Sequence, residues 1–310
     1  SRPAQGAAVN LETGRSYRIT HRTDYRYSDV VTSSYGRGFL APRDSARQRC
    51  LTYQLDIDPQ PADQSTSLDA YGNISSYFHI TNRHRELTVT STSVVEVDPP
   101  PADLYGTGPA VAPWEIARPT GPAGALAVEF TLDLQPGEIT DAVRDYAAPS
   151  FESGRPLIEV LGDLNRRIFN DFTYRSGSTT VSTQVAEVLA AREGVCQDFA
   201  RLAIACLRAN GLAASYVSGY LATDPPPGKE RMFGVDATHA WAAVWTPQNQ
   251  WLALDPTNDQ MVDERYIVVG WGRDYADVPP LRGIIYTDSE SSVIDVSVDV
   301  APFEGGMLRA

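Results

Sequence analysis

Cysteine is scarce in this chain. Three occur among 310 residues, Cys50, Cys196 and Cys206, with no C-x-x-C pair. An odd, widely spaced set of three builds no disulfide framework, and with the four histidines it gives no zinc-ligand spacing. Long apolar runs are absent too: none approaches the roughly 20 residues needed to span a bilayer. The opening SRPAQGAAVNLETG lacks the charged-then-apolar order of a secretory signal. Positive charge is in short supply, with 26 Lys and Arg against 39 Asp and Glu, a formal charge of −13. Such a field repels nucleic acid and anionic lipid, and no cluster of Lys or Arg reverses it locally. The expectation is a cytoplasmic protein with neither nucleic acid nor membrane as partner. Several chemistries are also unsigned: there is no G-x-S-x-G elbow, P-loop, dinucleotide-binding glycine motif, H-E-x-x-H or EF-hand loop. No cofactor and no metal are expected.

What is present describes a well-packed α+β protein. Apolar residues make up 42% of the chain, and 15 Tyr, 9 Phe and 5 Trp supply bulk for a core. After a tail over residues 1–14, residues 15–98 alternate apolar or aromatic with polar side chains in YRITHRTDYRY, CLTYQLDID, SSYFHITN and ELTVTSTSVVEV. That period predicts an N-terminal antiparallel β domain, drawn here as a sandwich. Tyr71, Gly72 and Asn73 mark a turn within it. Residues 99–124 are too rich in Pro and Gly for regular structure and read as a linker, docked through Trp114 and Tyr105. A second domain, 125–278, begins with a helical period. ITDAVRDYAAP is short; GRPLIEVLGDLNRRIFNDF places Leu157, Val160, Leu161, Leu164 and Ile168 on one stripe; STQVAEVLAAREG follows Ser182 as candidate N-cap. GVCQDFARLAIACLRANGL puts Phe199, Leu202, Ala203, Cys206 and Leu207 at helical spacing and stops at Gly211. Strands ASYVSGYLA, THAWAAVWT and QWLALDPT follow, and residues 279–310 form an extension with one further strand, SSVIDVSVDV.

Three residues then stand out chemically. Cys196 falls in the first turn of its helix, where unpaired N–H groups and the helix dipole favour a thiolate. Cys206, on the apolar stripe, and Cys50, in a strand, read as packing residues. His21, His79 and His84 read as strand or loop residues of the β domain. His239 opens a strand that is otherwise apolar, 43 residues after Cys196, and Asp255 closes the next strand. If these strands pair as a hairpin through TPQNQ, His239 and Asp255 become neighbours. The carboxylate would accept the Nδ1 proton and leave Nε2 for the thiol, a Cys-His-Asp version of triad logic. Each residue alone has a bland explanation; their order and context argue against coincidence.

The blocks GVCQDFARLAIACLRANGLAASYVSGYL, THAWAAVW and WLALDPTND resemble the transglutaminase-like superfamily, papain-related enzymes with Cys, His and Asp in this order on a helix and two adjacent strands. YRYSDVV, LAPRD and DAYGN resemble the N-terminal β domain of the bacterial transglutaminase-like proteins, and GRDYADVPPLRG is a further block similar to that group, so the resemblance spans about residues 15–303. It implies a papain-like core and a cysteine enzyme with Cys196 as nucleophile, His239 as base and Asp255 as orienting group. It further implies a thioester formed on a carboxamide of a peptide or protein substrate, resolved by water or by an amine. Animal transglutaminases add a tryptophan upstream of the cysteine, whereas here no Trp lies between Trp114 and Cys196. The expected oxyanion donors are therefore the Cys196 backbone N–H and Tyr174. Arg273, Asp274 and Tyr275 either line the site or brace the Asp255 loop. A non-catalytic binding module on the same fold is the alternative.

Overall fold

The structure, a computed structural model, describes residues 14–223, 238–287 and 291–303; of the expected tail, residues 1–13 fall outside them. The first half is a seven-stranded antiparallel sheet built around one long strand, β1 (Arg15–Gly38). β2 (Gln48–Asp58), β3 (Asp63–Leu68), β4 (Ile74–Ile80) and β5 (His84–Val97) follow in chain order and assemble as β2-β5-β1-β4-β3. β1 reaches both halves of this sheet, pairing β5 from Arg15 and β4 from Ser34. The result is a curved half-barrel rather than the two facing sheets of a sandwich, because a 24-residue strand carries both halves without a break. Its alternating burial still gives one apolar face, with Tyr17 and Ile19 buried.

The linker is a series of 3-10 turns, docked as its aromatic residues require. Trp114 is buried, its Nε1 donating to the Glu152 carbonyl at 3.0 Å, and Tyr105 donates to the Val262 carbonyl at 3.2 Å.

The second half holds α1 (Asp141–Ala147), α2 (Leu157–Asp171), the two-residue β6 (Thr173–Tyr174), α3 (Val185–Ala191), the equally short β7 (Glu193–Gly194) and α4 (Cys196–Ala209). A five-stranded antiparallel sheet follows: β8 (Ala214–Leu221), β9 (Thr238–Trp245), β10 (Trp251–Asp255), β11 (Gln260–Met261) and β12 (Tyr266–Gly272), in the order β11-β10-β9-β8-β12. The N-cap of α3 is Gln184, not Ser182. Gln184 and Glu187 form a capping box, the Gln184 N–H donating to Glu187 Oε2 at 2.8 Å, while the Ser182 hydroxyl turns to Thr180.

α4 lies on one face of this sheet. Phe199, Leu202, Ala203 and Cys206 pack with Ala240, Ala242, Leu252 and Leu254, all below 5% exposed. Because strand side chains alternate, the intervening residues face the other way, where Val217, Trp241 and Ala243 form a separate cluster. At the far end of α4, the buried Arg208 donates to the carbonyls of Phe130, Ala214 and Arg273 at 2.8–2.9 Å, satisfying a cation where the helix dipole is negative.

The C-terminal extension contributes two strands, not one. β13 (Arg282–Thr287) and β14 (Ser292–Pro302) both pair with β1, so the chain returns to its first sheet. Val298 and Val300 join Tyr17, Ile19 and Val95 against Tyr220, Ile267 and Val269 of the second sheet. The expected turn keys the same seam: Gly72 has φ +77°, and Asn73 exchanges hydrogen bonds with the Trp271 backbone at 2.7 and 3.0 Å. Among the described residues, no helix is long and apolar enough to cross a membrane.

Candidate active site

Cys196 is the first residue of α4, after Val195 in extended conformation. Asp198, at the third helical position, accepts from the Val195 N–H at 2.9 Å and from the Thr179 hydroxyl at 2.6 Å, which fixes the entry to the helix. Gly194 is required by this cap: a Cβ there would come within 2.9 Å of the Asp198 carboxylate and 3.0 Å of its Cβ. The thiol is half-buried.

His239 lies at the start of β9 and Asp255 at the end of β10, and the two strands pair antiparallel through Ala242↔Leu254 to Trp245↔Trp251. That register brings the two side chains together. His239 Nε2 and Asp255 Oδ2 are 2.8 Å apart. The nitrogen is the reverse of the expected one: Nε2, not Nδ1, faces the carboxylate. Asp255 sits beyond the ring, diagonally along the sheet, so the atom farthest from the His239 backbone reaches it. Cys196 lies beside the same ring, close enough to help raise its pKa. Cysteine, histidine and aspartate thus stand in one cluster, with His239 bonded to Asp255 and beside Cys196.

The aspartate is over-provided with donors. Besides His239, its Oδ2 accepts from Asn258 Nδ2 and from the Tyr266 hydroxyl, both at 2.7 Å, and Oδ1 accepts from the Thr257 N–H at 3.0 Å. Burial pushes the fully enclosed Asp255 carboxyl up, but the bonds from His239, Asn258 and Tyr266 outweigh it and hold the group below the ordinary carboxylate range. Burial likewise pushes the His239 imidazole down. The bond to Asp255 and the nearness of Cys196 win, and it rises to about 10. Trp241 and Tyr266 wall the ring, each with its centroid 6.0 Å away. Tyr266 and Asn258 were not singled out in the sequence; Asn258 stands beside Asp255 in the DPTND block, whereas Tyr266 carries no local signal.

Tyr174 is in β6, whose pairing with β7 sets it beside the residues leading into Cys196. It is half-exposed, packs edge-on against Phe199, and its hydroxyl is raised by burial and then by the nearness of Cys196 and Asp198. Tyr216 on β8, also unmarked by the sequence, is buried and raised well above the usual phenol range, first by burial and then by Cys196.

Arg273 and Asp274 brace the cysteine helix, Arg208 donating to the Arg273 carbonyl, while Tyr275 packs on Tyr216 of β8. Arg201, on α4, donates to Asp274 at 2.9 Å, to Glu138 at 2.7 Å and to the Thr183 carbonyl at 2.7 Å. Arg273 Nη2 binds the carbonyls of Leu132 and Asp133, and Tyr275 stands edge-on to Tyr216 at 6.3 Å. The loop after Asp255 is held by Asp255 itself. Among the described residues, no group of three or more His, Cys, Asp and Glu is placed to hold a metal ion.

Known proteins share this arrangement of sequence. Residues 17–96 match the family described as the bacterial transglutaminase-like N-terminal region, and residues 144–256 match the transglutaminase-like superfamily. An uncharacterized protein of Mycobacterium tuberculosis is 76% identical over 307 residues, 98% of each chain. One from Mycobacterium leprae is 33% identical over 292 residues, 91% of this chain and 97% of its own. A protein-glutamine gamma-glutamyltransferase of Pseudomonas aeruginosa is 36% identical over 75 residues, 24% of this chain and 11% of its own. In fold, the chain superposes on a Cytophaga hutchinsonii protein named as a candidate cysteine protease, with a TM-score of 0.69, 18% identity and 94% of each chain covered. The paired N-terminal and core matches, and the whole-length mycobacterial relatives, carry one conclusion: the chain belongs to the bacterial transglutaminase-like proteins.

Proposed function

We propose that the chain is a cysteine acyl-transfer enzyme acting on a carboxamide of a peptide or protein, with Cys196, His239 and Asp255 as its machinery. The observation that carries this reading is that His239 bonds the buried Asp255 carboxylate at 2.8 Å and stands beside the half-buried Cys196 at the start of α4. His239, raised to about 10, enters the reaction as imidazolium, and the sulfur attacks the carbonyl carbon as a thiolate beside it. The tetrahedral intermediate collapses as the C–N bond breaks and the imidazolium protonates the departing amine, leaving a thioester. His239 then draws a proton from water, which attacks the thioester; the C–S bond breaks, the carboxylic acid leaves and ionises, and the thiolate is restored beside the imidazolium. Asp255 holds the ring in register and stabilises its charged form throughout.

The negative oxygen of the intermediate would meet the Cys196 N–H, which as the first residue of a helix has no intrahelical partner. The Tyr174 hydroxyl is the second donor in this reading. It has no hydrogen-bond partner among the described residues and lies close enough to Cys196 to feel its charge.

Water is placed ahead of an amine as acceptor because Cys196 is half-buried rather than enclosed, and a transferase must keep water from its thioester. The test is incubation with a glutamine-containing peptide library, with and without a primary amine, read by mass spectrometry. Cleavage or deamidation that stops in Cys196→Ala supports hydrolysis; a mass gain matching the amine reverses the order of preference. If Cys196 labels with iodoacetamide no faster than Cys50 or Cys206, and Cys196→Ala retains every activity found, the chain is instead a binding module. A cytoplasmic setting belongs to the same proposal, supported by the three cysteines, all of which are free thiols.

A further inference from the structure

The face of the catalytic sheet turned away from α4 contains a trough that the acyl-transfer chemistry does not use. Ser215 on β8 pairs with Ala243 on β9, and Ala243 pairs with Ala253 on β10, so a row of three small side chains crosses the sheet in register. Large aromatic residues bound this row: Trp241 and Trp251 from the same two central strands, Tyr266 and Trp271 from β12. The segment 45–48 and the linker roof part of it, leaving a cavity of about 500 Å³, a size usual for small-molecule sites.

Ser215 and Arg47 present polar atoms to the cavity that no described residue pairs. Ser215 is 3% exposed, and its hydroxyl has no hydrogen-bond partner among the described residues. With no partner in the described protein, this hydroxyl on the cavity wall is open to a ligand's polar group. Arg47 donates from Nε to the Asp98 carbonyl at 3.3 Å, and its terminal nitrogens have no partner among the described residues. The acids around it are committed elsewhere: Asp98 to Arg49, Asp263 to Arg265 and Glu264 to Arg15. In a chain of net charge −13, an uncommitted guanidinium beside an indole-lined trough is complementary to one kind of molecule.

We propose that this trough binds a flat aromatic anion, its rings lying along the Ser215–Ala243–Ala253 row between the tryptophans and its anionic group on Arg47. Tyr266 and Trp241 wall both the trough and the His239 ring, and Tyr266 also bonds Asp255, yet Cys196, His239 and Asp255 do not line the trough, so the test can be run on Cys196→Ala protein and its outcome leaves the catalytic reading untouched.

The probe is 8-anilinonaphthalene-1-sulfonate, titrated by calorimetry and by energy transfer from tryptophan, with the uncharged N-phenyl-1-naphthylamine as its comparison. One saturable site per chain is expected. Arg47→Gln should weaken the sulfonate about tenfold and leave the neutral amine within about twofold. Ala253→Phe, which fills the row from a partly exposed position, should abolish both. Ser215→Val should weaken the sulfonate by a few-fold at most. Absence of a saturable site overturns the proposal, as does sulfonate binding unchanged in Arg47→Gln, or unchanged in an Ala253→Phe protein with native near-ultraviolet circular dichroism. Should Ala253→Phe fail to fold, the Arg47→Gln contrast between charged and neutral probe decides alone.

Discussion

Two buried histidines of this protein respond to burial in opposite directions. His21, on β1 at the seam between the two sheets, is 3% exposed and shares a hydrogen bond of 2.8 Å with the Tyr220 hydroxyl. Burial pushes it down to about 4, so at neutral pH it is an uncharged packing group. His239 is nearly as deep, and burial pushes it the same way, yet it rises to about 10. The difference lies in what each ring touches. A phenol hydrogen-bonds either form of imidazole, whereas the ionised Asp255 stabilises the cation by a full charge in a setting of low dielectric. Depth makes a histidine hard to charge. The partner decides whether the proton is kept.

Breaking that contrast should have its largest effect at the carboxylate. Asp255→Asn keeps the shape but removes the charge, so His239 should fall to the behaviour of His21 and stand neutral at pH 7. Hydrolysis is expected to drop by roughly 10³–10⁴-fold, the scale seen when a triad aspartate is neutralised. Histidine NMR separates the two rings. In the wild type one resonance should remain protonated at pH 7 and another should titrate near 4; in the variant the first should join the neutral class. A protonated His239 in Asp255→Asn would show that its proton is held by something other than Asp255.

Stability should follow the same two signs. The folded pKa of His21 lies below the unfolded 6.5, so above pH 6.5 it contributes no pH dependence. As pH falls toward 4, the unfolded chain takes up a proton that the folded one refuses. This destabilises the fold by about 3 kcal/mol once the pH is below both values. For His239 the folded pKa is raised; its contribution is complete below pH 6.5 and is lost as pH climbs toward 10. Urea unfolding at pH 7.5 and 4.5 should therefore show a smaller acid loss in His21→Gln than in the wild type. Equal losses in both would mean that His21 charges freely within the fold.

The sequence reveals the two histidines unequally. His239 declares itself because it opens an apolar strand and has a cysteine block before it and an aspartate block after it, all local patterns. His21 sits in an alternating strand like any polar residue; its burial comes from Tyr220, far along the chain. The same limit hid the return of β14 to β1 and the extent of β1, since which strands pair is a long-range fact that alternation does not encode. Alternation correctly located most strands and showed which residues share a face. It could not reveal which ring nitrogen meets Asp255, because that depends on a diagonal across β9 and β10. Nor could it find Tyr266, an aromatic in an apolar run, whose hydroxyl matters only once β12 is folded against the end of β10.

The smallest effects should come from the two tyrosines, and they sharpen the comparison most finely. Tyr266→Phe removes one of the three side-chain donors on Asp255, leaving His239 and Asn258. Losing one hydrogen bond to a charged group costs about 1.5 kcal/mol, so turnover should fall about tenfold while His239 stays protonated at pH 7. Tyr220→Phe takes from His21 a bond to a neutral partner. It should cost about 1 kcal/mol of stability in urea unfolding and leave turnover unchanged, because no proton at that seam has to move. If Tyr220→Phe slowed turnover as much as Tyr266→Phe, the seam and the triad would be energetically coupled, and the two histidines could no longer be treated as independent sites.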